Sequence, residues 1–237
     1  MSGPALSVVV PAFNEAERLP RTLERIASYL AGRPGGYELL VVDDGSTDAT
    51  AERASTGGAT VLRNATNRGK GFAVRRGMRA AGGERRLMSD ADLSTPIEEL
   101  GRLAARMDEG YDVVIGSRAL PGARIEVRQP FYRENMGRLF NLFVRALAVP
   151  GLKDTQCGFK LFTAAAAEAV FSAARLDGFS FDVEALFLAR KKGYRIAEVP
   201  VVWRNDAASR VSLLRGSLAF PDLLRIRAND WAGRYGL

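Results

Sequence analysis

The chain has 237 residues, 47% apolar and 26% charged, a composition that suits a folded α/β domain and excludes a disordered one. There is no histidine and a single cysteine, Cys157, which excludes imidazole acid–base chemistry, a His-based triad and an internal disulfide framework. Any metal must then rest on oxygen ligands, which points to Mg²⁺ or Mn²⁺, while the net charge of +7 is carried mostly by arginines, a bias that suits phosphate recognition and suits a genome of high GC content equally.

In chain order, LSVVVPAF (6–13) is a short β-branched run closed by proline and reads as a buried strand. Asn14 opens NEAERLPRTLERIASYL, where Leu19, Leu23, Ile26 and Leu30 recur at helical spacing. YELLVVDDGSTD (37–48) repeats the scheme, with Ser46 or Thr47 placed to cap the next helix. ATVLRN is a third strand, followed by the glycine-punctuated loop and helix NRGKGFAVRRGMRAAGG. ERRLMSDAD is the fourth; Pro96 then opens a helix through Met107, with Glu98 and Glu99 in its first turn. YDVVIGSR (111–118) is the fifth.

Beyond residue 118 the alternation breaks. ALPGARIEVRQP reads as a loop carrying Arg124 and Arg128. FYRENMGRLFNLFVRALAV (131–149) reads as a helix with Tyr132, Met136, Leu139, Phe140, Phe143 and Leu147 on one face and Arg133, Arg138, Asn141 and Arg145 on the other. DTQCGFKLF, an alanine-rich helix, GFSFDVEALFLARKKG and YRIAEVPVVWR suggest two further strand–helix units. VSLLRGSLAFPDLLRIRAND is read as a final helix pair around Pro221. No repeat or low-complexity linker divides the chain, so residues 1–237 are expected to form one domain. No apolar run approaches the roughly 20 residues of a membrane span, and the N-terminus enters a strand without a basic leader. The expectation is a cytoplasmic chain, with peripheral contact at the inner face of the membrane as an option.

Apolar strands alternating with helices over the first 118 residues predict an α/β fold with a mostly parallel, Rossmann-like sheet covered by helices on both faces. Ligands in such folds bind beyond the carboxyl ends of the strands. There stand Pro11 to Glu15, Asp43-Asp44, Asn67 to Gly71, Asp90-Ala91-Asp92 and Gly116-Ser117-Arg118. Asp90 and Asp92 flank Ala91 with side chains able to converge on one hard divalent cation, whose coordination a diphosphate would complete. Four carboxylates on one ion would repel, so Asp43 or Asp44 is expected to accept from a ribose or base, or else to cap its own turn. Lys70 is a phosphate ligand or a solvated loop lysine. NRGKG lacks the P-loop spacing, and no GxGxxG follows the first strand. A metal-bound nucleoside diphosphate held without a P-loop points to a group-transfer donor.

VVVPAFNEAERL, VVDDGSTDAT, NRGKGFAVRRGM and MSDADLSTP, in this order, resemble an inverting family-2 glycosyltransferase with the GT-A nucleotide-sugar fold. GSRALPGARIEVRQPFYRENMGRLFN, DTQCGFKLF, GFSFDVEAL and EVPVVW resemble more narrowly the dolichyl- or polyprenyl-phosphate β-glucosyltransferases, over roughly residues 5 to 228 in all. The resemblance implies a nucleotide-sugar half (1–118) and an acceptor half (119–237). It implies that Pro11, Asn14, Glu15 and Asp43 contact uracil and ribose, with Asp44, Lys70 and Ala91 in the same donor site. Asp90 and Asp92 would form the metal motif, and Arg118, Arg133 and Arg138 would reach the diphosphate or the acceptor phosphate. Ser94 stands where some relatives take a further metal ligand, which puts a third protein ligand in doubt.

The expected reaction is metal-dependent inverting hexosyl transfer, glucose from UDP-glucose, to a polyprenyl or dolichyl phosphate. A soluble hydroxyl acceptor with the same donor, and mannosyl transfer from GDP-mannose, are the alternatives. A phosphate nucleophile is already ionised and needs no strong base; for a hydroxyl acceptor, Asp182 or Glu184 is the candidate base, unless the pair is a helix N-terminus with Asp182 as cap. The expected catalytic set is thus Asp92, Arg118, Arg133 and Asp182. A nucleotidyltransferase would show a glycine-rich basic loop after the first strand, which PAFNEAERLP is not. Nucleic acid is not expected as a partner, since the basic residues are spread along the chain and no nucleic-acid motif occurs. Cys157 is read as a small buried residue, not a nucleophile. The 131–149 helix either meets anionic headgroups or packs on the domain.

Overall fold

The computed structural model describes residues 3–127, 143–144, 148–204 and 219–236. Strands β1 (Leu6–Ala12), β2 (Tyr37–Asp43), β3 (Thr60–Arg63), β4 (Arg85–Ser89) and β5 (Val113–Ser117) alternate with helices α1 (Leu19–Leu30), α2 (Thr50–Thr56), α3 (Lys70–Ala80) and α4 (Leu100–Asp108). A short strand β6 (Arg124–Val127) follows, then β7 (Phe159–Thr163), α5 (Ala164–Ala173), α6 (Phe181–Lys191), β8 (Ile196–Pro200), β9 (Val202–Arg204) and α7 (Ala219–Trp231).

Among the described residues, seven strands form one sheet in the order β3-β2-β1-β4-β7-β5-β8, and β7 alone runs antiparallel to its neighbours. The sheet is apolar on both faces because both are covered. Val8, Val10, Leu39, Val41 and Leu87 pack against α1 and α4, through Leu23, Ile26, Leu100 and Leu103. Val9, Leu40, Val42 and Met88 pack on the opposite face against α3, α5 and α6, through Val74, Met78, Val170 and Leu186. The expected mostly parallel, doubly covered sheet is what the chain forms, and strands from both halves of the sequence share it.

Two features of this topology place the site. The strand order reverses at β1, whose neighbours are β2 on one side and β4 on the other, so a crevice opens between the carboxyl ends of β1 and β4. An antiparallel strand begins where its parallel neighbours end. β7 therefore starts at the same edge at which β4 and β5 finish, pairing Phe159 with Ser89, and sets Gly158 against the Asp90 carboxylate.

Several local expectations are corrected. The first helix begins at Leu19, not Asn14, because residues 14–18 form turns around an Asn14 backbone at φ 56°. Neither Ser46 nor Thr47 caps α2; the carboxylate of Asp48 accepts from the Thr50 amide at 3.0 Å instead. Residues 124–127, read as loop, form β6, an exposed four-residue strand whose partner β9 lies 78 positions away and is invisible to local pattern. Of the helix pair expected around Pro221, α7 holds Pro221 itself, and residues 205–218 lie outside the described residues. Most of the 131–149 segment, including Arg133, Arg138 and Arg145, and also Arg128, lies outside the described residues.

Candidate active site

A cleft of about 200 Å³ lies at the β1–β4 crevice, walled by Pro11, Ala12, Phe13, Glu15, Asp44, Lys70, Asp90, Ala91, Asp92 and Phe179. Its walls are loops, and each is tied to a neighbour by side-chain bonds to backbone. Asn14 links the first to the second: its amide donates to Ser46 Oγ at 2.9 Å, and its Oδ1 accepts from the Thr47 amide at 2.9 Å. The Glu15 amide donates to Thr50 Oγ1 at 2.7 Å, and the Glu15 carboxylate pairs with Arg18, 2.5 Å away, at the rim.

The two aspartates that end β2 have different work. Asp43 is fully buried; its Oδ1 accepts from the Ser46 amide at 3.0 Å and its Oδ2 lies 3.2 Å from Nε of Arg63. That Oδ2 has no hydrogen bond of good geometry among the described residues. Asp44 is saturated. It accepts from Nδ2 of Asn64 at 2.7 Å and from the amides of Arg68 and Gly69 at 3.0 and 2.7 Å. It thus organises the NRGKG loop from below. Asp177 holds the same loop from above, pairing with Arg68 at 3.3 Å and Arg75 at 2.6 Å and accepting the Phe72 amide at its carbonyl. Gly69, at φ 109°, is the one residue type that fits there, since a Cβ would lie 2.4 Å from the Asp177 carbonyl oxygen. Lys70 therefore enters α3 on a rigid support.

Beyond β4, the chain turns sharply: the Leu93 amide donates to the Asp90 carbonyl and Leu93 itself takes a left-handed φ of 46°. Thr22 of α1 donates to the Ala91 carbonyl at 2.6 Å, and Ser94 donates its amide to Oδ1 of Asp92 at 2.8 Å. Burial, and then the neighbouring Asp90, push the Asp92 carboxyl above its ordinary value. The Lys70 ammonium sits 2.6 Å from Oδ1 of Asp90. Burial alone would lower the Lys70 pKa, but Asp90, Asp182 and Asp92 outweigh it and raise the value, so the lysine is charged. The other side of Asp90 is closed by β7: its amide donates to the Gly158 carbonyl at 3.0 Å, and a Cβ on Gly158 would meet Asp90 Oδ2 at 1.9 Å.

This donor set fits a hard divalent cation. Asp90 and Asp92 are all-oxygen ligands whose mutual repulsion favours a cation between them, and an ammonium already stands in for one at Asp90. Among the described residues no three acidic or thiol side chains gather, so the protein would supply two ligands and a diphosphate or water the rest.

The remaining candidates lie behind the cleft. Arg118 is gripped by Asp154 through Nε at 2.7 Å, Nη2 at 2.8 Å and the backbone amide at 2.9 Å, with Trp203 5.4 Å from its guanidinium. Asp182 is buried on Lys160 of β7, 2.5 Å away, and caps no helix. Burial raises its carboxyl pKa against the opposing pull of Lys160 and Lys70. Glu184 is fully engaged as a strut: it accepts from the amides of Arg175 and Leu176 at 2.9 and 2.8 Å and from Tyr235 Oη at 2.8 Å. It is fully buried and is not among the residues that wall the cleft. Cys157 is buried with its thiol pushed up to about 11, first by burial, and is no nucleophile.

The fold thus gathers Pro11, Glu15, Asp44, Lys70, Asp90, Ala91 and Asp92 on one cleft, while Asn14 and Asp43 do not line it and brace the neighbouring loops. Arg133 and Arg138 lie outside the described residues. Sequence reading missed Asp177, Gly158, Lys160 and Phe179. Only DTQCGFK and GFSFD hinted at them, and nothing in either stretch says which strand or loop it will meet.

The family model for glycosyl transferase family 2 matches residues 7–171. The dolichyl-phosphate beta-glucosyltransferase of Dictyostelium discoideum is 37% identical over 240 residues, 94% of this chain and 73% of the relative. The human protein of the same name is 35% identical over 98% of this chain and 78% of its own length. Among solved structures, glucosyl-3-phosphoglycerate synthase from Mycobacterium tuberculosis bound to UDP superimposes with a TM-score of 0.70 at 22% identity, covering 99% of this chain and 81% of that one. The same enzyme solved with Mn²⁺, UDP and glucosyl-3-phosphoglycerate gives 0.69 at 21%, covering 94% and 80%. With the switch-point cleft, its paired carboxylates and these likenesses in agreement, the chain belongs to glycosyltransferase family 2 and has the GT-A fold of a glycosyltransferase enzyme.

Proposed function

We propose that the enzyme transfers glucose from UDP-glucose to a polyprenyl phosphate, with inversion and with Mg²⁺ or Mn²⁺ bound at Asp90 and Asp92. The observation that carries this reading is the fixed Lys70–Asp90–Asp92 constellation at the β1–β4 switch point, in a chain whose relatives of known name glucosylate dolichyl phosphate. When bound, the divalent ion neutralises charge on the departing diphosphate.

The chain's own residues account for the rest. Asp43 offers a buried carboxylate oxygen to a base N–H, and the Asn14–Ser46–Thr47 clamp fixes the loops on either side of it. Lys70 supplies a point charge to the phosphates. An oxygen of the acceptor phosphate attacks the anomeric carbon as the bond from that carbon to the diphosphate oxygen breaks, and UDP leaves from the opposite face with the electron pair. A phosphate monoester carries its second charge near neutral pH, so no proton has to be removed. Asp182, tied to Lys160, is not required as a base in this reaction, and positioning with charge stabilisation supplies the rate. Ile125 and Val127, exposed on β6, support peripheral contact with the cytoplasmic face of the membrane, where a lipid acceptor would be presented.

The test is nucleotide release from UDP-glucose and GDP-mannose, with and without a short polyprenyl phosphate, in Mn²⁺ and in EDTA. UDP release that needs both metal and lipid phosphate is the expected result. Metal-dependent UDP-glucose hydrolysis that the lipid never accelerates would refute the acceptor, and preference for GDP-mannose would refute the donor.

A further inference from the structure

Lys70 and Asp90 face each other from two supports that do not yield. The lysine side is fixed by Asp44, which accepts the Gly69 amide at 2.7 Å, and by Asp177, whose carbonyl accepts the Phe72 amide at 3.2 Å. The aspartate side is fixed by the Gly158 carbonyl and by the glycine surface against Oδ2. With 2.6 Å between ammonium and carboxylate, the ion pair is closed. The other aspartate acting on Lys70 from below, Asp182, is already taken by Lys160 at 2.5 Å and offers no ready second berth.

A divalent cation arriving alone must displace the ammonium or lie against it, two like charges a few ångströms apart. A nucleoside diphosphate arriving with the metal removes that conflict, because its phosphate oxygens give the ammonium a new partner as the metal takes Asp90. We propose that Lys70 is a tethered counter-ion that keeps the acidic pair closed to free metal, so that metal and nucleoside diphosphate load together while the ammonium passes from Asp90 to phosphate. This rests on the metal-dependent donor site proposed above.

The test is Mn²⁺ binding to the full chain without nucleotide, followed by the paramagnetic signal of free Mn²⁺, together with UDP affinity by calorimetry at saturating Mn²⁺. A charge-assisted hydrogen bond of this kind corresponds to about a tenfold effect. K70Q is expected to bind Mn²⁺ alone about tenfold more tightly than the wild type and UDP with Mn²⁺ about tenfold more weakly. K70R, which keeps the charge, is expected to hold bare-Mn²⁺ affinity near the wild-type value, and thermal melts of both variants check the fold. Unchanged or weaker binding of Mn²⁺ alone by a folded K70Q, with UDP binding still metal-dependent, would overturn the role given to Lys70. UDP binding that is the same with and without Mn²⁺ in the wild type would overturn the metal site itself.

Discussion

Gly158 has no side chain to bring to the site, yet its replacement by alanine should cripple the enzyme. An added Cβ would stand 1.9 Å from Oδ2 of Asp90 and 2.3 Å from its Cγ, whereas real Cβ contacts below 3.0 Å essentially do not occur. Asp90 must therefore retreat by about 1 Å or turn its carboxylate, and its amide is tied to the Gly158 carbonyl, so the β4 end would be dragged along. A misplacement of about 1 Å at a reacting constellation costs on the order of 10²-fold. Overpacking itself costs about 1–3 kcal/mol of stability. The assay is kcat/KM for UDP release beside urea unfolding. G158A is expected to lose about 10²-fold in kcat/KM while remaining folded. Gly101, exposed on α4 with 3.5 Å of room to Tyr29 Oη, is the control: G101A should leave activity unchanged and gain about 0.5–1 kcal/mol. A G158A enzyme within threefold of wild-type activity would refute the claim that β7 positions the Asp90 carboxylate.

Asp92→Ala should reduce turnover by about 10³-fold without shifting the thermal melt, since among the described residues its carboxylate is bonded to Ser94 and to no distant element; an active D92A would remove it from the site. Asp154→Ala strands Arg118 and should cost about 3 kcal/mol in urea unfolding at pH 7. Burial would raise the Asp154 pKa, but Arg118 outweighs it and holds the carboxyl below its ordinary 3.8, so this stability is present above that value and is lost as pH falls through the lower folded value. The gap between wild type and D154A should accordingly close in acid, and a gap independent of pH would contradict the ion-pair account. Lys160→Met leaves Asp182 buried without its partner and should cost about 3–5 kcal/mol, part of which K160M/D182L recovers; additive losses in that double variant would show that the pair is not coupled.

The first five strands, α1 and the acidic pair were all legible in local pattern, because each is encoded within a dozen consecutive residues. Val8, Val9 and Val10 announce a strand buried on both faces, and Asp90-Ala91-Asp92 follows Leu87 and Met88 directly. The division of labour between Asp43 and Asp44 was not legible. Both end the same strand, and only the position of the 64–69 loop decides that Asp44 organises its backbone while Asp43 holds the Ser46 amide and Arg63. Glu184 and Asp182 looked alike as helix-start carboxylates; a C-terminal tyrosine and a strand lysine, 51 and 22 positions away, separate them.

What the sequence by itself determined is the chemistry at hand: oxygen ligands only, no imidazole, apolar strands that end in polar loops, and a family pattern along nearly the whole chain. Hydrophobic periodicity and turn residues act over short range, so those properties survive without knowledge of the fold. The tertiary structure alone decided which loops share the cleft. The antiparallel insertion of β7 between β4 and β5 brings Gly158 against Asp90 and Lys160 against Asp182, and that non-local pairing leaves no periodic trace in either segment.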